Sequence, residues 1–165
     1  MDRSIVYPGA IPLDSDLLRA NQDAMIALGF LARAVLGSNQ DAVDGLIAAQ
    51  TTVPSMAITV GAGLLKTTST IEPNAYGSIA ADASNSLVKM GINTSTITTS
   101  AMVAPVTAGQ SVVYLVQAAF SETDATPVVL PYYNSANPSV PYSGPANSGA
   151  AQNTRRIQRV TIGLK

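Results

Sequence analysis

Cysteine, histidine and tryptophan are absent from this chain of 165 residues. Without Cys and His there is no thiol nucleophile, no disulfide, no Cys/His zinc site and no imidazole acid–base group. Charge is scarce as well. Charged residues make up 12% of the chain, about half of the roughly 25% found in an ordinary soluble domain. Hydrophobic residues, at 47%, are at a normal level. The polar surface must therefore come from Ser, Thr, Asn and Gln. Such a surface costs little to desolvate beside a charged one, and interface cores are depleted in Lys, Glu and Asp. An oligomer or assembly component is expected.

A formal net charge of −1 gives no electrostatic footprint for nucleic acid. The charges are nevertheless uneven. Residues 155–165 hold Arg155, Arg156, Arg159 and Lys165 and no acid, whereas acids outnumber bases in residues 1–50. This asymmetry can steer one subunit's tail onto another's head. The start, Met1-Asp2-Arg3-Ser4, lacks the basic-then-apolar pattern of a signal peptide. The most apolar stretch, Ala24 to Leu36, is interrupted by Arg33 and is too short to span a membrane. A product made in the cytoplasm is expected.

The chain length suits one domain with an arm. Residues 1–42 are expected to form an extended arm and a helix. Residues 43–165 are expected to form a β-rich domain. In the arm, Tyr7-Pro8-Gly9 and Ile11-Pro12 cannot continue a helix, and each Pro biases its predecessor to extended geometry. The arm still carries Ile5, Val6, Tyr7, Ile11 and Leu13. These need a surface to lie on.

Residues 15–36 read as a helix, with Asp14 or Ser15 as its cap and Gly37 as its stop. Leu17, Asn21, Ala24, Leu28, Leu31 and Val35 follow 4-3-4-3-4 spacing along one stripe, which Met25 and Ala32 widen. Ile26, Phe30 and Leu36 lie on other faces, so the second half is apolar nearly all round. Such a helix is expected to be buried on every side, in a bundle with other subunits or wrapped by its own sheet. Asn21 can set register, as a polar seam residue does.

From about residue 43 the pattern turns to β. Met56, Ile58 and Val60 alternate, as do Val88, Met90 and Ile92, and again Val160, Ile162 and Leu164. Gly61-Ala62-Gly63 predicts a turn before Leu64. Val112 to Phe120 reads as a central strand covered on both faces. Thr126 to Tyr133, broken by Pro127 and Pro131, reads as an edge strand. The whole predicts a mainly β fold with one long N-terminal helix: an antiparallel β-sandwich or barrel-like domain preceded by an extended arm and helix. Residues 134–153 show no period. Flanked by Tyr132 and Tyr133 and holding Tyr142, they read as an ordered excursion that contacts another subunit.

Acid pairs are the remaining catalytic candidates. Asp14 and Asp16 are explained by helix capping. Asp41 to Gly45 lacks the ligand run of a calcium loop. Glu122 and Asp124, placed at an expected hairpin turn after the apolar strand, are a carboxylate pair of the kind a polysaccharide depolymerase uses. No phosphate loop occurs, since Gly61-Ala62-Gly63 lacks the third glycine and a following helix. No catalytic residue, metal site or cofactor is assigned.

Two blocks carry a resemblance. Asp2-Arg3-Ser4-Ile5-Val6-Tyr7-Pro8-Gly9-Ala10-Ile11-Pro12-Leu13-Asp14 with Leu17-Leu18 is the first. The second runs from Gly109-Gln110-Ser111 through Tyr114 to Phe120. It continues in Val129-Leu130-Pro131-Tyr132-Tyr133-Asn134, Tyr142-Ser143-Gly144-Pro145 and Gln152-Asn153-Thr154. Together they cover about half the chain, and they resemble baseplate and tail-fibre-type proteins of tailed bacteriophages. The absence of Cys fits a bacterial or phage product. The resemblance implies a virion component at the distal tail whose N-terminal part docks to a baseplate or fibre socket. It also implies further β modules beyond Lys165. The expected partners are copies of the chain itself, a trimer first because fibres are commonly threefold, and other tail proteins. Host cell surface is a further candidate partner; no nucleic-acid partner and no membrane span are expected. The expected assembly interface comprises Tyr7, Pro8, Ile11, Leu17, Asn21, Met25, Leu28, Phe30, Leu31, Val35, Tyr132, Tyr133, Tyr142, Arg155 and Arg156.

Overall fold

The computed structural model describes residues 2–38 and 40–165. It is mainly β, built of open antiparallel sheets with one N-terminal helix, α1 (Asp14–Leu36). The barrel alternative is not realised: among the described residues no sheet closes on itself. The strands are β1 (Ala42–Gly45), β2 (Ala48–Gln50), β3 (Ile58–Val60), β4 (Gly63–Glu72), β5 (Asp82–Asn93), β6 (Ile97–Thr98), β7 (Val116–Val128), β8 (Pro131–Tyr132), β9 (Tyr142–Ser143) and β10 (Gln152–Leu164). One sheet has the order β1-β4-β5 and a smaller one β2-β3-β6, while β7 and β10 form a long ribbon and β8 pairs with β9.

The arm is extended up to a turn in which the Ala10 N–H donates to the Tyr7 carbonyl at 3.1 Å. It is tied to the helix where the Ser4 hydroxyl donates to the Asp16 carbonyl at 3.1 Å. The cap lies one residue before the expected position. Pro12 holds Leu13 extended (φ −88°, ψ 154°), which makes Leu13 the cap residue. Its N–H donates to Asp16 Oδ2 at 2.9 Å, the reciprocal half of a capping box. Gly37, at φ 76°, ends the helix as expected and donates its N–H to the Arg33 carbonyl at 2.9 Å. Buried Lys66 of β4 then donates to the Gly37 carbonyl at 2.8 Å and the Leu36 carbonyl at 3.4 Å. A cation there satisfies orphan carbonyls and the negative end of the helix dipole together.

Two glycines set how closely the layers approach. Gly29 is the buried residue of the helix. A Cβ on it would meet the Leu87 side chain and stand 2.7 Å from the Val88 carbonyl oxygen, so the helix lies directly on β5. A Cβ on Gly91 would stand 2.5 Å from the Arg159 carbonyl oxygen, so β10 passes close against β5. The Asn93 amide bridges the same crossing, donating to the Val160 carbonyl at 2.8 Å and accepting from the Val160 N–H at 3.3 Å. Among the described residues, Val60, Leu65, Ile71, Leu87, Val88 and Val160 are the buried hydrophobic side chains.

Several expectations for the β region need correction. The apolar run is not a strand covered on both faces: β7 starts at Val116, Val113 is 91% exposed, and a two-stranded ribbon has only one face to pack. Glu122 and Asp124 lie at no hairpin turn. They sit inside β7, opposite Gln158 and Arg156. The strand read over Thr126 to Tyr133 is divided: β7 runs on with β10 to Val128, and β8, at Pro131–Tyr132, is a separate short element that pairs with β9.

Candidate functional site

The helix presents three chemically different rows. Leu18, Met25, Gly29 and Ala32 face inward; each is half-buried or buried. Asp23, Ile26, Ala27 and Phe30 line a shallow hollow together with Asp2 of the arm. The remaining sector is Leu17, Asn21, Ala24, Leu28, Leu31 and Val35, all of them exposed. Beside it runs a row at seven-residue intervals, Ala20, Ala27 and Ala34, of which Ala20 and Ala34 are exposed and Ala27 is half-buried at the edge of that hollow. From Leu17 to Val35 this outward sector contains no charged residue.

The exposures are large. Leu17 is 71% exposed, Leu28 59%, Leu31 60% and Val35 72%. The notion of a helix wrapped by its own sheet therefore fails: the sheet covers one face and leaves the stripe in water. Leaving four such side chains uncovered forgoes roughly 1.5–3 kcal/mol each. An apolar groove continues the surface onto the sheet, with Asn21, Ala24 and Leu28 on one wall and Met90 and Ile92 on the other.

The expected interface residues divide accordingly. Tyr7, Pro8 and Ile11 are exposed on the arm, Ile11 to 88%. Leu17, Asn21, Leu28, Leu31 and Val35 share the outward sector. Phe30, 50% exposed, lies on the flank facing the arm. Met25 turns inward, with its sulfur 3.5 Å from Gln158 Nε2. Arg155 is exposed on the outer face of the ribbon.

Arg156 does not join the surface set. Its Nε and Nη2 donate to the two Asp124 carboxylate oxygens at 2.7 and 3.0 Å. Its Nη1 donates to Glu72 Oε2 at 2.6 Å and to the Asn74 carbonyl, and Nη2 also reaches the Ala75 carbonyl at 2.9 Å. The guanidinium sits 5.3 Å over the Tyr76 ring. Its donors are spent inside the fold.

The carboxylate pair is committed too. Glu122 accepts from buried Lys89 Nζ at 2.9 and 2.7 Å and from Gln158 Nε2 at 2.8 Å. The side-chain hydrogen bond from Arg156 holds Asp124 below its ordinary pKa, against a smaller opposing effect of burial. A general acid needs the opposite shift. The polar cavity shared by Glu72, Glu122, Tyr76 and Arg156 is about 70 Å³, well below the roughly 300 Å³ at which ligand pockets begin.

Residues 134–153 are ordered by their own polar groups. Asn134 Oδ1 accepts from the N–H groups of Ala136 and Asn137, and its amide donates to the Val140 carbonyl at 2.9 Å. Tyr132 and Tyr142 are cross-strand partners, and the Tyr132 hydroxyl donates to Gln152 Oε1. Tyr133 is left 77% exposed.

Sequence reasoning missed the alanine row and the groove at Met90 and Ile92. The seven-residue recurrence of Ala20, Ala27 and Ala34 was a usable signal; the groove depends on helix–sheet docking and had none. Among the described residues no helix is long and apolar enough to cross a membrane. Comparison of the chain with protein-family models, curated proteins and solved structures yields no match.

Proposed function

We propose that this chain is a structural, non-catalytic virion subunit. It serves as a baseplate or tail-fibre attachment module of a phage tail, acting by oligomeric assembly and docking to neighbouring tail proteins. One observation carries the assembly part: a helix face of 4-3-4-3-4 apolar spacing, without charge, lies open in the single chain. Apolar side chains on such a face favour association once the ordering cost is met. The place in a tail is supported by the sequence resemblance of the arm and of the Tyr-Pro-Asn block. The subunit is then made in the host cytoplasm and resides in the virion.

The direct test is imaging of intact particles with a label on this chain. Density at the distal tail is expected, and label confined to unassembled protein contradicts the proposal. Leu28→Asp is expected to abolish incorporation into particles. A variant that incorporates normally removes the helix from the interface.

Host-surface binding is a second function, favoured by the ordered excursion that holds Tyr133 out in solvent. Purified protein would then bind host cells, and Tyr133→Ala would lose that binding. A depolymerase is the third. Polysaccharide digestion that disappears in Glu122→Gln would support it.

A further inference from the structure

We infer that the ribbon of β7 and β10 is a hinged lever: it pivots on β5 at Gly91 and Asn93, and an ionic clasp centred on Arg156 holds its far end to the sheet and releases it in acid. The inference goes beyond the assembly function and applies to the single chain, whether or not copies associate.

The β4–β5 hairpin meets the ribbon by different chemistry at its two ends. At one end Gly63 pairs with Asn93 and Leu65 with Gly91; at the other Glu72 pairs with Asp82. The first end carries the pivot. There the missing side chain of Gly91 lets the Arg159 carbonyl approach, and the Asn93 amide bonds both the N–H and the carbonyl of Val160. Neither Gly91, Asn93 nor Val160 has an ionisable side chain. The second end carries the clasp. Arg156 binds Glu72 of β4 and Asp124 of β7, donates to the Asn74 and Ala75 carbonyls and covers the Tyr76 ring. Arg156 is four residues from Val160 along β10, about 13 Å. Lys89 and Glu122 stand between pivot and clasp, with Gln158 as the third partner. Every ion pair among the described residues thus involves the ribbon. From the helix, Asn21, Gln22 and Met25 line the cavity beside the clasp and add no titratable group.

Connectivity leaves the far end free to move. The ribbon joins the preceding elements through residues 99–115, which form neither helix nor strand. Beyond the clasp lies the excursion of residues 134–153, whose Asn134 and Asn147 side chains bond within it. The Arg156 and Glu72 side chains are only 8% and 4% exposed, and a buried charge that loses its partner is stranded. Asp124 is held below its ordinary pKa first by the hydrogen bond from Arg156. That stabilisation is present above the unfolded value of about 3.9 and is lost as pH falls through the folded one. Once the carboxylates are neutral, swinging outward returns the Arg156 guanidinium to water. The helix junction at Gly29, Leu87 and Val88 contains no carboxylate and stays closed. Opening therefore moves the excursion, with its exposed Tyr133, away from the sheet as a hinge motion.

The chain has no cysteine, so spin labels can be placed in pairs. Ala83→Cys with Asn153→Cys reports on the clasp end, and Ile92→Cys with Thr161→Cys on the pivot end; all four sites are exposed. At neutral pH each pair is expected to give one distance. At about pH 3 the clasp pair is expected to gain a second population roughly 10 Å longer, while the pivot pair and the helical ellipticity hold. Arg156→Met is expected to show the longer population already at neutral pH, and Glu72→Gln a smaller share of it. The acid titration leaves Arg156 in place, so it decides the matter even if Arg156→Met does not fold. Lengthening of both pairs together, or loss of ellipticity at the same pH, means that the ribbon detaches whole or the fold melts, and overturns the hinge. A clasp pair unmoved by acid and by Glu72→Gln overturns the clasp.

Discussion

Lys89 of β5 and Glu122 of β7 meet at 2.7 Å, with side chains 0% and 7% exposed. A buried pair of this kind is weak evidence of net stability, because desolvation offsets the attraction, but removing one partner strands the other charge. Lys89→Met is expected to cost about 3–5 kcal/mol in urea unfolding. The double variant Lys89→Met/Glu122→Leu is expected to recover most of that loss, and a double variant as unstable as the single one contradicts the pairing. Asp124 carries the pH dependence. Its pKa is lowered in the fold, first by the hydrogen bond from Arg156. The stabilisation is therefore present above the unfolded value of about 3.9 and is lost as pH falls through the folded one. Asp82 behaves alike through the side chain of Asn85. The urea midpoint should hold from pH 7 to about 5 and fall below about 4, less steeply in Asp124→Asn. Little of this was legible in the sequence. Arg156 read as a surface cation because its partners Glu72 and Asp124 lie 84 and 32 residues away, and nothing local marks such a pairing.

Among the elements, α1 was the most legible, because its length, spacing and Gly37 stop are all local signals. Only its cap moved, to Leu13, with Asp16 as the responding side chain. Asp16→Ala is expected to cost roughly 1 kcal/mol and to shorten the helix measured by circular dichroism; unchanged ellipticity and midpoint would deny the cap a role. The strands were legible as a class but not in number or extent: five segments were read, and the structure has ten strands. Val112 and Val113 have the composition of a strand interior, yet the ladder with β10 sets where β7 begins, and Leu115, paired with Lys165, is its outermost partner. Tyr114 instead closes its own loop, donating to the Val103 carbonyl at 2.8 Å and accepting from its N–H. Glu122 was misplaced for the same reason: a hairpin turn and a strand middle differ by what lies opposite. The excursion at residues 134–153 was legible as ordered through Asn, Pro and Tyr, and Asn134 supplies the order.

At the scale of the molecule, the few buried hydrophobic side chains leave a fold whose apolar surface is mostly outside it. That property could be read in the sequence as a shortage of charge together with a helix apolar on several faces. What could not be read was which of those faces the sheet takes, because that depends on Gly29 meeting Leu87 and Val88. An assembly joined by an uncharged seam responds weakly to ionic strength, since screening acts on charges. Raising salt from 0.1 to about 1 M should leave the oligomer intact. Dissociation by salt would instead implicate Arg155 and the acidic residues of the first fifty. The most direct measurement is sedimentation equilibrium of the purified chain beside Leu28→Asp. The proposed assembly through the helix face, with a trimer expected first, predicts particles of three times 16.9 kDa for the unaltered chain and single chains for the variant. An unaltered chain that sediments as a monomer at micromolar concentration, with Leu28 still open to solvent, contradicts it.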